Sequence, residues 1–344
     1  MKHGVALRTL LTAARYRVSG ARAPLAAHLA VTARCDALCT TCAVPLRKVR
    51  ELDTDALLAL VDGLAARGVA RVTLGGGEPL VRDDIGLVVR RCADHGIFSQ
   101  LETNGHRYPA RAAELDGLGE LVVAWEGPAE VHDLQREPGS WVRARAALDT
   151  ARARGVAVRL RTTLTRHNVD HVEAIIDAAE ASGALAEFQL LRAAPLVAEA
   201  QAAALRAGPE ALRAALRRIL EARQAGRPVA NPEKVLRHLL AWEDLRQGTD
   251  TAPHGDLHCL AGQLFVAVDA DGTMSPCPAW ARRFPGRDVR DGLDAAFDAA
   301  RDHGCRACTD PGLTEYNYLY NLNAPLLVER LCATLRRTPS PGPT

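Results

Sequence analysis

Residues 27–42 read AHLAVTARCDALCTTC: a short apolar run, Ala27–Ala33, followed at once by Cys35, Cys39 and Cys42. The run has the length and composition of a buried strand, so the three thiols stand on the loop that leaves it. Three thiolates spaced C-x3-C-x2-C can hold three corners of an iron–sulfur cube and leave the fourth iron open; an electron carrier normally uses four protein thiolates. A zinc knuckle with its fourth ligand elsewhere is the competing reading of the same residues.

Working outward, strand-like runs recur at Ala70–Leu74, Phe98–Thr103, Glu120–Trp125, Val156–Thr163 and Glu187–Leu191, separated by amphipathic stretches near 53–67, 83–95, 108–117, 141–154 and 169–182. Four of these stretches close near Gly68, Gly96, Gly155 or Gly183, as helix C-termini commonly do. Strand–helix alternation at this spacing means βαβ units around a parallel sheet. Six strands are too few to close an eight-stranded barrel. The expected fold is α/β, a partial (β/α)6 barrel over residues 27–195, preceded by an arm, 1–26.

After Pro195 the pattern changes. Residues 197–225 and 231–247 are rich in Ala, Leu and Arg and read as helices, giving a helical connection over 196–248. Gly248–Gly255 is a polar break, and a hairpin pattern follows: Gln263–Val268, a turn at Asp271-Gly272, then Thr273–Ser275. Residues 324–337 read as a last helix and Thr338–Thr344 as a Pro/Ser tail. Cys259, Cys277, Cys305 and Cys308 form a second set around the hairpin, which closes either a structural zinc site or a fully ligated cluster. Cys92 and Cys332 fall in helical apolar patterns and read as small buried hydrophobes.

Composition removes several classes. Lys+Arg 43 against Asp+Glu 41 leaves +2 over 344 residues, which argues against nucleic-acid binding driven by bulk charge. No apolar run reaches the ~18–20 residues of a membrane span. The N-terminus has no continuous apolar segment of a secretory signal. Seven of the nine cysteines fall in two clusters and are metal ligands before they are disulfides, and the expected compartment is the reducing cytoplasm.

Gly75-Gly76-Gly77-Glu78-Pro79 follows the second strand. With the cysteine triplet after the first, it resembles the radical S-adenosylmethionine (SAM) superfamily. The resemblance implies that Cys35, Cys39 and Cys42 bind a [4Fe-4S] cluster and that SAM chelates its open iron. It also implies that the backbone of Gly75, Gly76, Gly77 and Glu78 approaches the methionine part of SAM, closer than any residue but glycine permits. Thr103-Asn104-Gly105 resembles the family's TNG turn. Trp125-Glu126-Gly127-Pro128 resembles its S-L-D-G-P sequence, with Ala124, Trp125 and Glu126 in place of Ser, Leu and Asp. Thr41 stands where an aromatic residue often contacts adenine. Arg159, Arg161 and Thr163 share one face of strand five. If that face is the lumen, the arginines suit the SAM carboxylate or a polar substrate; a solvated or helix-paired face is the alternative.

Cys259, twelve residues, Gly272, four residues and Cys277 resemble the opening of SPASM and twitch domains. On this resemblance residues 249–323 form a small α+β auxiliary-cluster domain of the shorter, twitch type, with a second [4Fe-4S] cluster on Cys259, Cys277, Cys305 and Cys308, and 324–344 hold the final helix and tail.

The family chemistry this implies is reductive cleavage of SAM, with an electron from a donor such as flavodoxin or ferredoxin, to a 5′-deoxyadenosyl radical that abstracts hydrogen; the cofactors carry the hard chemistry. The leading expectation is an oxidoreductase that dehydrogenates a polar small molecule, an aminocyclitol or sugar alcohol, with the auxiliary cluster taking the electron. A peptide-modifying maturase is the second expectation, set lower because about 26 residues precede the first strand, too few for a recognition domain. An epimerase would need a free thiol, for which Cys92 and Cys332 are poor candidates. A non-catalytic zinc module would leave the glycine run without a purpose. No catalytic base is legible: His106, His132 and His258 stand in no diagnostic spacing. Tyr316, Tyr318 and Tyr320 read as packing between the domains, with a roof over the substrate as the alternative. The arm Val5–Val18 reads as docking across the open end of the barrel.

Overall fold

The structure is a computed structural model that describes residues 11–336 apart from 12, 17, 21–22, 193–198, 246–247, 251–254, 256, 282 and 302. The start of the arm, the Cys332 side chain and the tail from 338 lie outside the described residues.

Six parallel strands, β1 (Ala26–Thr32), β2 (Arg71–Gly76), β3 (Phe98–Thr103), β4 (Glu120–Ala124), β5 (Val158–Leu164) and β6 (Leu185–Leu190), lie side by side in chain order. This is the expected α/β partial barrel. Between them run helices Thr54–Ala66, Ile85–Asp94, Ser140–Ala153 and Val172–Ser182. Local chemistry sets their ends. Asp53 caps the first by accepting from the Ala56 amide at 2.9 Å, and Gly183 ends the last in a left-handed conformation (φ +68°). Residues 108–117 form only one helical turn, Tyr108–Arg111, and a 3-10 turn, Ala112–Leu115.

Alternation along the strands gives the barrel two unlike faces. Leu29, Val31, Val72, Leu74, Leu101, Leu121, Val123 and Leu160 are buried against the helices in one core. The residues that alternate with them line the inner face, where His28, Thr73, Gln100, Glu102, Glu120, Arg159, Arg161 and Glu187 are polar and Ala30 and Val122 are apolar.

The stretch 197–225 is two helices, Glu199–Leu205 and Pro209–Gln224, because Gly208-Pro209 interrupts the ladder. The second packs with Glu233–Ala241 into the barrel core through Leu216, Ile219, Leu236 and Leu239. A two-residue strand, β7 (Thr249–Asp250), pairs antiparallel with Ala307–Cys308, and the hairpin is present as β8 (Phe265–Val268) and β9 (Met274–Ser275), with Gly272 at φ +92° in its turn. Its placement was not expected: β8 pairs in parallel with β1, Ala26 opposite Phe265 and Leu29 opposite Val268, so the hairpin continues the barrel sheet.

A helix at Pro311–Tyr320, capped by the Asp310 carboxylate on the Leu313 amide, is a second addition. Tyr316 and Tyr320 stack 5.5 Å apart against Phe265, and Tyr318 packs with Trp242 and Leu326. The tyrosines are packing residues, and Glu315 pairs with Arg330. One further contact ties the hairpin to the cysteine loop. Arg47, five residues after Cys42, grips Asp269 in the β8–β9 turn with two hydrogen bonds of 3.0 and 2.6 Å, both side chains almost buried.

Candidate functional site

The loop of Cys35, Cys39 and Cys42 leaves the C-terminal end of β1, where barrels of this type gather their chemistry. Every neighbouring strand end holds it. The Gly77 amide donates to the Thr32 carbonyl at 2.8 Å and the Glu78 amide to the Arg34 carbonyl at 2.9 Å. The Asn104 side chain donates to Asp36 at 2.9 Å and stands 3.9 Å from the Cys35 sulfur. The amide and hydroxyl of Thr40 both donate to the Gln135 carbonyl at 2.9 Å. The Arg136 guanidinium stands 3.7 Å from the Cys39 sulfur, and the Val44 amide donates to the Cys42 sulfur at 3.4 Å. Burial pushes the Cys35 thiol up to about 12 and raises Cys39 and Cys42 as well. Three sulfurs on one loop, ringed by N–H donors yet too buried to ionise alone, form a donor set that suits a multiply charged cationic centre.

The glycine run packs against the cysteine loop. A Cβ on Gly76 would lie 2.3 Å from the Thr32 carbonyl oxygen, and one on Gly77 2.1 Å from that of Arg34. Gly76 also sits at φ +126°. Glycine is required here because β2 docks its end on the backbone of the cysteine loop. Gly75 alone faces inward, its Cβ position 3.0 Å from Glu102 and 3.1 Å from His28. The buried Glu78 carboxylate accepts from Leu80 N (3.0 Å), the Thr103 hydroxyl (2.8 Å) and Asn104 N (2.7 Å), joining the glycine run to the TNG turn. Burial outweighs these bonds and lifts it to about 7. Glu78 and Thr103 thus have side chains committed to each other.

Arg159 and Arg161 lie on the inner face, as one reading of strand five required, and carboxylates engage both there, with the Arg159 Nε left without a partner among the described residues. Arg159 pairs with Glu187 at 2.8 Å and Glu120 at 3.1 Å; Arg161 pairs with Glu187 at 2.5 Å and with Glu102. Arg71 approaches Glu120 at 3.8 Å and His28 approaches Glu102 at 3.7 Å. Three arginines face three carboxylates in a neutral lattice across β2–β6. Burial alone would raise the Glu187 carboxyl, but Arg161 and Arg159 override it and hold it at about 2, against an ordinary 4.5. The stability Glu187 contributes is complete above pH 4.5 and lost as pH falls toward 2. Glu187→Gln is expected to cost about 3 kcal/mol at neutral pH, the loss of one partner from a buried pair. Urea unfolding across pH should show a flatter acid limb in the variant than in the native chain.

Glu126 is buried. One oxygen accepts from Arg136 at 2.7 Å and the other from the Thr163 amide at 3.0 Å. Its own amide donates to His132 Nδ1 at 3.2 Å; His132 Nε2 faces the Ser140 hydroxyl at 3.3 Å, and His106 Nε2 faces the same hydroxyl at 3.1 Å. Burial, with Arg136 nearby, lowers His132 to about 3, so it is a neutral hydrogen-bonding residue and not a base at neutral pH. Arg136 was missed in the sequence. Its only local signal is a position ten residues beyond Glu126, at the end of helix Ala129–Gln135.

In the second set, Cys259, Cys277 and Cys308 share one core cluster. Cys305 lies close enough to Cys259 for the two to share a proton, which lowers Cys305 and raises Cys259. His303 joins Cys259 and Cys305, the ligand atoms of the three lying within 4.8 Å of one another. Both its nitrogens are used, however: Nδ1 accepts from the Cys305 amide at 3.2 Å and Nε2 meets the Ala261 carbonyl at 3.1 Å. Cys277 and Cys308 lie in the same core cluster as Cys259 but outside that group of three. Arg192, at the end of β6, stands near Cys308 and Cys277 and pairs with Asp310 at 2.8 Å. Cys92 is buried on helix Ile85–Asp94, as expected. Among the described residues, no helix is long and apolar enough to cross a membrane.

Comparison with known proteins adds four findings. The profile of the radical SAM superfamily matches residues 29–179. A PqqA peptide cyclase from Ruegeria pomeroyi is 31% identical over 310 residues, covering 83% of this chain and 80% of that one. Mycofactocin maturase MftC from Mycobacterium ulcerans is 31% identical over 180 residues, 50% of this chain and 49% of that one. Among solved structures, Streptococcus suis SuiB bound to precursor peptide SuiA superposes with a TM-score of 0.62 at 14% identity, covering 86% of this chain and 68% of that one.

Proposed function

Since the chain belongs to the radical SAM superfamily and carries an auxiliary cluster domain, we propose that it is a peptide-modifying enzyme with SAM and two [4Fe-4S] clusters as cofactors. The observation that carries this reading is the 31% identity to a peptide cyclase over 310 residues, 83% of this chain. It reverses the order of the sequence-based expectations, in which a small polar alcohol stood above a peptide. The surface beside the cysteine loop supports the same reading. A shallow groove of about 510 Å³ runs along Glu130, Asp133, Leu134, Arg136, Glu137 and Pro138, with Leu134 exposed on it. Small-molecule sites are typically enclosed, whereas an open groove with an apolar anchor suits an extended chain.

When bound, the cluster on Cys35, Cys39 and Cys42 and its SAM supply the 5′-deoxyadenosyl radical, with an electron from a donor such as flavodoxin or ferredoxin. The protein's residues do the rest. The amides of Gly77 and Glu78, the side chain of Asn104 and the Gln135 carbonyl fix the cysteine loop. The neutral inner lattice gives a substrate hydrogen-bonding groups without a net charge, which suits a peptide's polar backbone better than an ionised small molecule. Cys259, Cys277, Cys305 and Cys308 are the ligands of the second cluster on this reading.

The test supplies the reconstituted chain with SAM, a reductant and either a short ribosomal peptide encoded beside the gene or a panel of aminocyclitols. 5′-Deoxyadenosine should form with the peptide, whose mass falls by two hydrogens. Turnover of an aminocyclitol, with the peptide inert, would return the function to dehydrogenation of a small molecule.

A further inference from the structure

The Arg136–Glu126 pair has no role in the reading given so far, and its surroundings are built with unusual care. Helix Ala129–Gln135 ends on the cysteine loop in two ways. Its last carbonyl takes both donors of Thr40, and the next residue places a guanidinium 3.7 Å from the Cys39 sulfur. Two other nitrogens of that guanidinium donate to one Glu126 oxygen, at 3.1 and 2.7 Å. Glu126 is fixed from both ends, by the Thr163 amide on its carboxylate and by His132 on its own amide. The Arg136 side chain is 17% exposed and that of Glu126 3%, so solvent screens neither charge well.

We propose that Arg136 and Glu126 are positioning residues that set the reduction potential of the iron–sulfur centre on Cys35, Cys39 and Cys42, as an electrostatic pair of opposite sign. The inference rests on the family reading of that loop but not on any peptide substrate. Adding an electron to the centre adds negative charge beside Cys39. The guanidinium, in contact with the sulfur, favours this; the carboxylate behind it opposes. Removing Arg136 leaves Glu126 uncompensated and makes reduction harder, and removing the Glu126 charge leaves the arginine unopposed and makes reduction easier. A residue that only shapes the loop has no reason to shift the potential in opposite directions with its partner.

The experiment is an EPR-monitored redox titration of the anaerobically reconstituted full chain, without SAM or substrate. The signal followed is the one that changes when SAM is added in a parallel sample, which identifies the three-cysteine site. Arg136→Gln should lower the ratio of reduced to oxidised centre at fixed potential about tenfold, equivalent to roughly 59 mV for one electron. Glu126→Gln should raise it by a similar factor, and Arg136→Lys should stay near the native value. SAM affinity, measured separately by equilibrium dialysis, should not follow this order. Shifts of the same sign in Arg136→Gln and Glu126→Gln, or none in either, would overturn the proposal. So would loss of the signal in Arg136→Gln with Glu126→Gln unshifted, because Arg136 would then act on loop geometry alone. A fall in SAM affinity with unchanged potentials would also overturn it and assign Arg136 to the cofactor instead. Inactivity toward peptide with the opposed shifts intact would count only against the peptide reading.

Discussion

Replacing Cys35, Cys39 and Cys42 together with alanine should abolish SAM cleavage and halve the iron, from about eight atoms per chain to about four, as two [4Fe-4S] centres become one. The fold should survive, because the loop is held largely by backbone bonds that the substitution leaves in place: Gly77 to Thr32, Glu78 to Arg34, Thr40 to Gln135. The loss therefore reports the ligands. Iron assay after anaerobic reconstitution and chromatography of 5′-deoxyadenosine read the two quantities. Undiminished iron, or any remaining cleavage, would move the radical chemistry away from this loop. Zinc in place of the remaining iron would leave Cys259, Cys277, Cys305 and Cys308 as a structural site.

Nearly as large an effect is expected from Gly77→Val, and for a reason that only the structure supplies. The new Cβ would lie 2.1 Å from the Arg34 carbonyl oxygen and 2.9 Å from that of Ala33, both backbone atoms of the cysteine loop. Neither can yield without moving the segment between β1 and Cys35. The variant should lose iron from the first site as well as SAM affinity, each at least tenfold. Gly76→Val should follow it, since its Cβ meets the Thr32 carbonyl at 2.3 Å and its φ is +126°. Gly75→Ala is the contrast: its nearest neighbours are the side chains of Glu102 and His28 at 3.0 and 3.1 Å, and iron should stay bound. Normal iron in Gly77→Val, with only SAM binding weakened, would restore the simpler expectation that the glycines make room for the cofactor.

The parts of this molecule that could be read in advance are those whose signal is local. The strand and helix periods of residues 27–192, the glycine stops and the cysteine spacings all act within a few residues, and the parallel sheet and both cysteine groups follow from them. Pairing over long separations leaves no such trace. Nothing near Phe265–Val268 says that it will lie beside Ala26–Leu29, because the hydrogen bonds of a parallel pair are indifferent to side-chain identity. The ion pairs of Arg159 and Arg161 escaped the sequence for a related reason. Their partners Glu102, Glu120 and Glu187 are spread over three other strands, although the recurrence of an acid at inward positions was there to be noticed. Helix Pro311–Tyr320 was legible and overlooked: Asp310-Pro311 is a capping residue followed by a proline at the first helical position.

The parallel pairing of β8 with β1 has a bearing on how the chain can be handled. The break at Gly248–Gly255 invites dissection there, and a fragment ending at that point would still contain every strand of the barrel. It would also strip the hydrogen-bonding edge from β1, exposing unpaired amides and carbonyls along Ala26–Leu29, a strip of two alanines, a histidine and a leucine without a lysine or a proline to discourage other strands. Such a fragment is a template for intermolecular pairing, and its insolubility would say little about the barrel's own stability. The hairpin acts as an edge guard for the sheet, and the two halves of the molecule are best expressed, purified and mutated as one.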